Sequence, residues 1–312
     1  MNLSVVIPTY NRSAILRRCL QSLSTQHMDK GQYEVIVVDD GSDDDTQQMV
    51  QQISKNAPYD LRYFFQKNQG QGVARNFGVE QARGDIVLFL GDDVFPDPDC
   101  LKEHLRVHHL NPAENEGVLG LVEWHPEITI TSLMRFMTRG GAILGRFGGH
   151  QFAYDLLDGK KLADYRFFYT ANISLKRNTL LNHKFDPWFG GYGWEDIELG
   201  YRLEKDENFK LHYNPYAVGY HYHPMTEVDF KRRMRSIGRS VHVIEKKYPE
   251  LNKVPKGRKK VLLSLIGSRS AIGVLNRLRR ISPSLFEDVY FYAVSKRYFM
   301  EGVFEEIAVY NG

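Results

Sequence analysis

Residues 85–93 read Asp-Ile-Val-Leu-Phe-Leu-Gly-Asp-Asp, an apolar run that ends in two adjacent acids, Asp92 and Asp93. A short continuous apolar run between polar residues marks a strand buried in a parallel sheet. Ligands of open α/β sheets bind just beyond the carboxyl ends of such strands. Two carboxylates there repel one another unless a cation lies between them. A divalent cation so held would meet a diphosphate. The plainer alternative is a helix-cap region ahead of Pro96 and Pro98.

Other clusters carry groups suited to the same ligand. Pro8, Thr9, Tyr10 and Asn11 follow the first apolar run, and the Tyr10 ring can stack on a planar base. Asp39-Asp40-Gly41-Ser42 ends the second run. Its acids can accept from a nucleobase N–H or a ribose hydroxyl, or merely build a turn in which Gly41 takes positive φ. Gly70-Gln71-Gly72-Val73-Ala74-Arg75-Asn76 opens a helix whose free N–H groups favour an anion and whose Arg75 can reach phosphate, unless Arg75 is simply exposed. It is no dinucleotide fingerprint, because the third glycine is missing and the segment follows the third strand.

The run Phe189-Gly190-Gly191-Tyr192-Gly193-Trp194-Glu195-Asp196 delivers the chain into a helix with two acids in its first turn. They complement the helix dipole. One of them, walled by Trp194, is also a candidate general base for an acceptor hydroxyl. Glu198, one turn on, reads as structural. His221 and His223 alternate at a strand end, so both can face one site and complete a metal shell as neutral imidazoles.

These residues need a scaffold, and the first 125 residues supply alternating strands and helices. Strands are expected at Leu3–Ile7, Tyr33–Val38, Leu61–Phe65, Ile86–Leu90 and Val118–Trp124. Helices are expected after caps at Ser13 and at Asp43 or Asp44, from Gly70 to Ala82 with Gly84 ending it, and from Pro98. That order implies a doubly wound parallel sheet with right-handed crossovers. Residues 126–165, with Gly140, Gly141, Gly145, Gly148 and Gly149, read as a loop or lid, or as an irregular connection. Further on, Phe167–Leu175 and Leu211–Tyr220 suggest strands and Trp194–Leu203 a helix. From Thr226 the pattern is helical.

The 312 residues, 42% hydrophobic and 25% charged, suit a globular core with a smaller appended region. Cys19 and Cys100 fall in expected helices and read as buried free thiols of a reducing compartment. No stretch approaches 18 apolar residues, and the chain enters a strand at Leu3, so a cytoplasmic protein is expected, able to sit on a membrane surface. Charge is uneven. Residues 226–312 hold 18 Lys+Arg and 9 Asp+Glu, against 23 and 29 before them. Interleaved apolar residues allow either peripheral membrane contact or packing on the first region with a homodimer interface. Nucleic acid is not expected, since no recognisable module accompanies the charge.

Together these residues resemble the inverting glycosyltransferases of family 2 with the GT-A fold, over roughly residues 1–225. The likeness rests on Val-Val-Ile-Pro-Thr-Tyr-Asn-Arg at 5–12, Val-Val-Asp-Asp-Gly-Ser at 37–42, Ala-Arg-Asn-Phe-Gly at 74–78, Asp92-Asp93, and Gly-Trp-Glu-Asp-Ile-Glu-Leu at 193–199. The resemblance implies a doubly wound, mostly parallel nucleotide-binding sheet over about 1–125. About 126–225 would bind acceptor and supply the base, and 226–312 would be a basic helical extension. It implies Pro8, Tyr10, Asp39 and Asp40 on the nucleotide of a sugar donor, with Asp93 as direct metal ligand and Asp92 either on ribose or behind the metal's direct ligands. The first acid of the family's Asp-any-Asp segment is Gly91 here. It further implies Asp196 or Glu195 as base, His221 in preference to His223 on Mn²⁺ or Mg²⁺, and a UDP-sugar donor, with GDP- and dTDP-sugars open. The acceptor would be a glycan, a lipid-linked molecule or a peptide. Two rivals remain: a nucleotidyl- or phosphotransferase with a similar nucleotide-binding half, which would release pyrophosphate, and a non-catalytic sugar-nucleotide binder.

Overall fold

The computed structural model describes residues 2–29, 31–141, 147–149, 151–189 and 193–310, with backbone alone for 306–310. Gly145 and the stretch 190–192 singled out above lie outside the described residues. The chain forms two compact units. The first comprises 1–128, 156–190 and 195–223, and the second 129–155, 191–194 and 224–312.

Among the described residues, the first unit is built on a mixed sheet of nine strands in the order β3-β2-β1-β4-β8-β6-β9-β5, with β7 beside β9. The strands are β1 (Leu3–Thr9), β2 (Tyr33–Asp39), β3 (Asp60–Phe65), β4 (Ile86–Leu90), β5 (Val94–Pro96), β6 (Glu116–Trp124), β7 (Leu162–Ala163), β8 (Asn172–Lys176) and β9 (Lys210–His221). Between them lie helices α1 (Ser13–Leu23), α2 (Thr46–Ser54), α3 (Gln71–Gln81), α4 (Cys100–Leu110), α6 (Arg177–Asn182) and α7 (Glu195–Glu207). The second unit holds α5 (Ser132–Arg139), α8 (Glu227–Lys247), α9 (Gly257–Ile266), α10 (Arg269–Ile281) and α11 (Pro283–Tyr310). The first four strands pair in parallel, as the βα order demands. Val5, Val35, Val37 and Leu88 are fully buried, each contributing about 1.5–3 kcal/mol.

The sheet is not parallel throughout. β8 lies antiparallel between β4 and β6. Its sequence, Asn-Ile-Ser-Leu-Lys, is half polar yet wholly buried. The polar half is satisfied from α4: the Ser174 hydroxyl lies 2.8 Å from His104 Nδ1 and 2.9 Å from His108 Nε2, and Asn172 Oδ1 lies 2.9 Å from His104 Nε2. Burial drives both imidazoles down, His104 to about 4 and His108 to about 2, so they are neutral bridges. Because β6 and β9 run parallel to β4, the carboxyl ends of β1, β2, β4, β6 and β9 share one sheet edge.

Several local expectations are corrected. Ser13 is the first helical residue of α1 rather than its cap, and its hydroxyl donates to Asp45. Gly84 does not end a helix. α3 stops at Gln81, and Gly84 is needed because a Cβ there would lie 2.7 Å from the Leu3 carbonyl carbon. Pro98 lies two residues ahead of α4. Where a strand over 167–175 was expected, the strand is Asn172–Lys176; Tyr165–Phe167 is a 3₁₀ turn held by the Asp164 side chain accepting from Arg166 N–H. Cys19 and Cys100 are buried free thiols as expected.

In the second unit, part of the segment expected as a loop, lid or irregular connection forms α5, capped by Thr131 Oγ1 accepting from Met134 N–H. Phe136 of α5 packs on Phe230 of α8 and Phe291 of α11, with ring centroids 6.4 and 5.9 Å apart. This packing, not chain order, joins 129–155 to the C-terminal helices.

Candidate functional site

At the carboxyl edge of the sheet the β1–α1 and β2–α2 loops are tied together. The Asn11 N–H donates to Ser42 Oγ at 2.8 Å, and Asn11 Oδ1 accepts from the Asp43 N–H at 2.8 Å. Gly41 turns between them at φ +93°, where a Cβ would meet Asn68 N at 2.9 Å. The tie presents the Tyr10 ring, 48% exposed, above the edge formed by Pro8 and Thr9.

Asp39 and Asp40 are both buried but differently engaged. Asp39 accepts from the Ser42 N–H at 2.8 Å and the Tyr63 hydroxyl at 2.7 Å. Asp40 accepts from Gln66 Nε2, the Gln69 N–H and the Gly70 N–H at 2.7–2.9 Å. A carboxylate offers about four lone-pair sites, so Asp39 keeps more capacity for a ligand. The anion expected at the start of α3 is supplied in part by Asp40 itself.

Asp92 and Asp93 follow β4 with a cation between them, and that cation is Arg12. Its Nη1 donates to Asp92 Oδ1 at 2.7 Å and its Nη2 to Asp93 Oδ2 at 2.8 Å. Thr9 Oγ1 donates to Asp92 Oδ2 at 2.8 Å. From the last residue of β9, His221 Nε2 lies 3.4 Å from Asp93 Oδ2, and from two residues beyond the strand His223 Nδ1 lies 3.5 Å from it; the two rings stack at 5.6 Å. Arg12 Nη2 also lies 3.3 Å from His223 Nδ1. Burial, then the Asp93 charge, raises Asp92. For Asp93 the burial penalty is outweighed by His221 and Arg12, which hold it well below the ordinary carboxylate range.

One carboxylate oxygen and two imidazole nitrogens are a donor set that suits a divalent ion. His221 Nε2 and His223 Nδ1 both lie within 3.5 Å of the same Asp93 oxygen. As they stand, Arg12 fills that space, and no group of three acidic, His or Cys side chains forms a metal cage among the described residues.

Arg75 is placed otherwise. It is 6% exposed, donates from Nη2 to Gln71 Oε1 at 3.2 Å, and stands over the Phe185 ring at 5.5 Å. Its Nε and Nη1 have no hydrogen-bond partner among the described residues. Burial lowers its pKa, against the opposing charges of Glu195, Asp196 and Asp92. A guanidinium so enclosed, with two nitrogens unbonded, carries a desolvation cost that a hydrogen-bonding anion would offset.

α7 begins at Glu195 after Gly193 and Trp194 at φ +110° and +74°. Glu195 is buried, and Gln71 Nε2 donates to it. Asp196 is half-buried and accepts from the Ile197 N–H at 2.9 Å. Burial raises its pKa, against Arg75 and backbone donors. The Trp194 indole, expected as a wall for the base, donates its N–H to the Ile237 carbonyl of α8 at 3.1 Å.

The structure thus brings Asp92, Asp93, His221 and His223 together, and sets Arg75 among Asp92, Glu195 and Asp196. Sequence reasoning missed Arg12 and Thr9 as partners of the acid pair, and Gln71 as partner of Glu195. The available signal was position: Thr9 and Arg12 flank the end of β1, the strand beside β4.

Residues 4–118 match the model of glycosyl transferase family 2. Over 220 residues the chain is 34% identical to validoxylamine A glucosyltransferase of Streptomyces hygroscopicus subsp. jinggangensis (strain 5008), a match covering 64% of this chain and 51% of that protein. The chain spans about half the length of the curated relatives it matches first. Among solved structures, the mannosyltransferase PcManGT of Pyrobaculum calidifontis, in complex with GDP-Man and Mn²⁺, aligns with 98% of this chain and 87% of its own at a TM-score of 0.65 and 16% identity. S. aureus TarS 1–349 in complex with UDP-GlcNAc aligns with 98% and 92% at 0.52 and 18%. These likenesses establish the GT-A fold.

Proposed function

We propose that this chain is a member of glycosyl transferase family 2, an enzyme that moves a sugar from a nucleotide-sugar donor to an acceptor hydroxyl with inversion at the anomeric carbon. The observation that carries the reading is Arg75, a buried guanidinium with two unbonded nitrogens set among Asp92, Glu195 and Asp196. A donor's diphosphate would supply the anion that Arg75 lacks. The donor would lie along the strand ends, its base on Tyr10 and its N–H groups on the remaining lone pairs of Asp39. A UDP-sugar is the favoured donor. TarS was solved with UDP-GlcNAc, while PcManGT was solved with GDP-Man, so the base-side contacts decide the nucleotide.

Asp196 is the favoured base. Its burial-raised pKa gives a carboxylate more avid for a proton, and its half-buried position keeps it reachable. Glu195, buried and bonded to Gln71, would hold that side chain and Arg75 in place. Attack from the face opposite the departing diphosphate inverts configuration in one displacement. Mn²⁺ or Mg²⁺, held by Asp93, His221 and His223, would neutralise the charge that develops on the leaving diphosphate. Arg12 must first release Asp93 Oδ2, and its guanidinium is then available near the same negative charge.

The test titrates UDP-, GDP- and dTDP-sugars in the presence of Mn²⁺, following binding and release of free nucleoside diphosphate. Metal-dependent binding of one nucleotide class, lost in Asp93→Ala, is the expected result. Release of pyrophosphate would convert the reading to a nucleotidyltransferase. Binding of none would leave the transferase reading without a donor and overturn it.

A further inference from the structure

We propose that helices α9 and α10 form a docking surface for an anionic lipid bilayer. Between Leu251 and Glu287 the chain carries nine cations and no acid: Lys253, Lys256, Arg258, Lys259, Lys260, Arg269, Arg277, Arg279 and Arg280. Lys256 pairs with Glu245 and Arg279 with Glu227. Arg258, Lys259, Arg269, Arg277 and Arg280 pair with no carboxylate among the described residues, although acids are plentiful elsewhere in the chain. A charged surface evolved only for solubility mixes both signs; this one excludes one sign over two helices.

The same helices bury no residue at all. Leu265 is 63% exposed and Ile281 81%, with Val261, Leu262 and Val274 also more than half exposed. Spacing places these side chains beside the cations. In α9, Arg258, Val261, Leu262 and Leu265 follow at i, i+3, i+4 and i+7. In α10, Val274, Arg277 and Ile281 follow at i, i+3 and i+7. Aliphatic side chains flanked by lysine and arginine are the composition of a helix lying in a bilayer interface, with stems and leucines among the acyl chains and charges at the phosphates.

Two alternatives fit less well. The pair does not suit a crossing of the bilayer: among the described residues no single helix is long and apolar enough, and the two that together reach that length and composition are bent by 45° at their junction, with Arg269 at the start of the second and Arg277, Arg279 and Arg280 near its end. Nor does the stretch suit nucleic acid, because no Phe, Tyr, Trp or His lies between Leu251 and Phe286 to stack on a base.

The test is vesicle flotation of the full chain without donor, using phosphatidylcholine alone and phosphatidylcholine with phosphatidylglycerol. Binding is expected to the anionic vesicles and not to the neutral ones. Each cation near the surface is worth about a fivefold change, so Arg258→Gln with Lys259→Gln and Arg277→Gln weakens binding on the order of a hundredfold. Leu262→Ser with Leu265→Ser and Ile281→Ser, all exposed positions, weakens it about tenfold or more while leaving the charge intact. No binding to anionic vesicles overturns the proposal. So does an unaffected leucine variant together with equal competition by a soluble polyanion, which would mark a general polyanion surface. A leucine variant that turns a dimer into a monomer would overturn it in favour of a second copy of this chain.

Discussion

Two places in the first unit set adjacent carboxylates against one arginine, and they use the arginine oppositely. Beyond β4, Arg12 reaches both Asp92 and Asp93 with direct hydrogen bonds, so each acid of that cluster already has a cationic partner without any ligand. At the start of α7, Arg75 feels Glu195 and Asp196 through space yet bonds only Gln71, and two of its nitrogens have no partner among the described residues. The first arrangement is stable as it stands and must be opened. The second carries a desolvation penalty that an incoming anion would relieve. A site that binds a polyanion and a cation together has use for both.

The largest effect should come from the carboxylates of the second cluster. Asp196→Asn is expected to lower kcat by roughly 10²–10⁴, the usual range for a lost general base. Glu195→Gln should cost less than about tenfold in kcat, since its role is positional. Because burial raises Asp196, the active carboxylate form is lost as pH falls through a value above the ordinary 3.8, and the acid limb of kcat/KM should sit there. The sign for stability is the reverse. A raised folded pKa favours the protonated form, so its contribution is fully present below 3.8 and lost as pH rises through the folded value. Asp196→Asn should therefore melt no lower than the parent at pH 7. Steady-state rates against pH and thermal melts of the same three proteins decide it. A larger loss in Glu195→Gln would transfer the role of base to Glu195.

Next comes the arginine of that cluster. Arg75→Met keeps length and removes a buried, under-bonded charge. Without ligand it should be stabilised by on the order of 1–3 kcal/mol in urea titration. Its affinity for the nucleoside diphosphate should fall about 10- to 100-fold, the loss of one or two charge-assisted hydrogen bonds. A variant that is destabilised without ligand would mean Arg75 is a structural pillar, and the contrast between the two clusters would collapse.

How much of this was legible before the fold was seen follows from the same residues. Strand ends that carry function were readable because an apolar run stops abruptly at an acid, as at Leu90-Gly91-Asp92 and Val38-Asp39. His221 and His223 were readable as one pair from strand period two, and both do approach Asp93, although β9 ends at His221 and His223 reaches it from beyond the strand. β8 was misplaced because Asn172 and Ser174 make it look half exposed, while their partners His104 and His108 lie about 65–70 residues away. Arg12 was missed for the same reason: its partners are 80 and 81 residues distant, and nothing local marks an arginine after a turn as a counter-ion. The split of Asp39 from Asp40 needed the loop geometry, since both acids end the same strand.

The smallest effect separates the clusters most sharply. Arg12 Nη2 occupies the position between Asp93 Oδ2 and His223 Nδ1, so a divalent ion and this guanidinium compete for the same atoms. Arg12→Gln removes the competitor and leaves the acid pair in need of a cation. Mn²⁺ binding in the absence of nucleotide, read by electron paramagnetic resonance of the free ion, should tighten by about tenfold, one broken charge-assisted hydrogen bond being worth roughly that factor. Arg12→Lys should fall between, because a single ammonium cannot reach two carboxylates as a fork does. With nucleoside diphosphate present the difference should shrink, since the parent's Arg12 then has phosphate to bond instead. Weaker Mn²⁺ binding by Arg12→Gln would mean that the arginine shapes the site rather than fills it, and the first cluster would then be as incomplete without its ligand as the second.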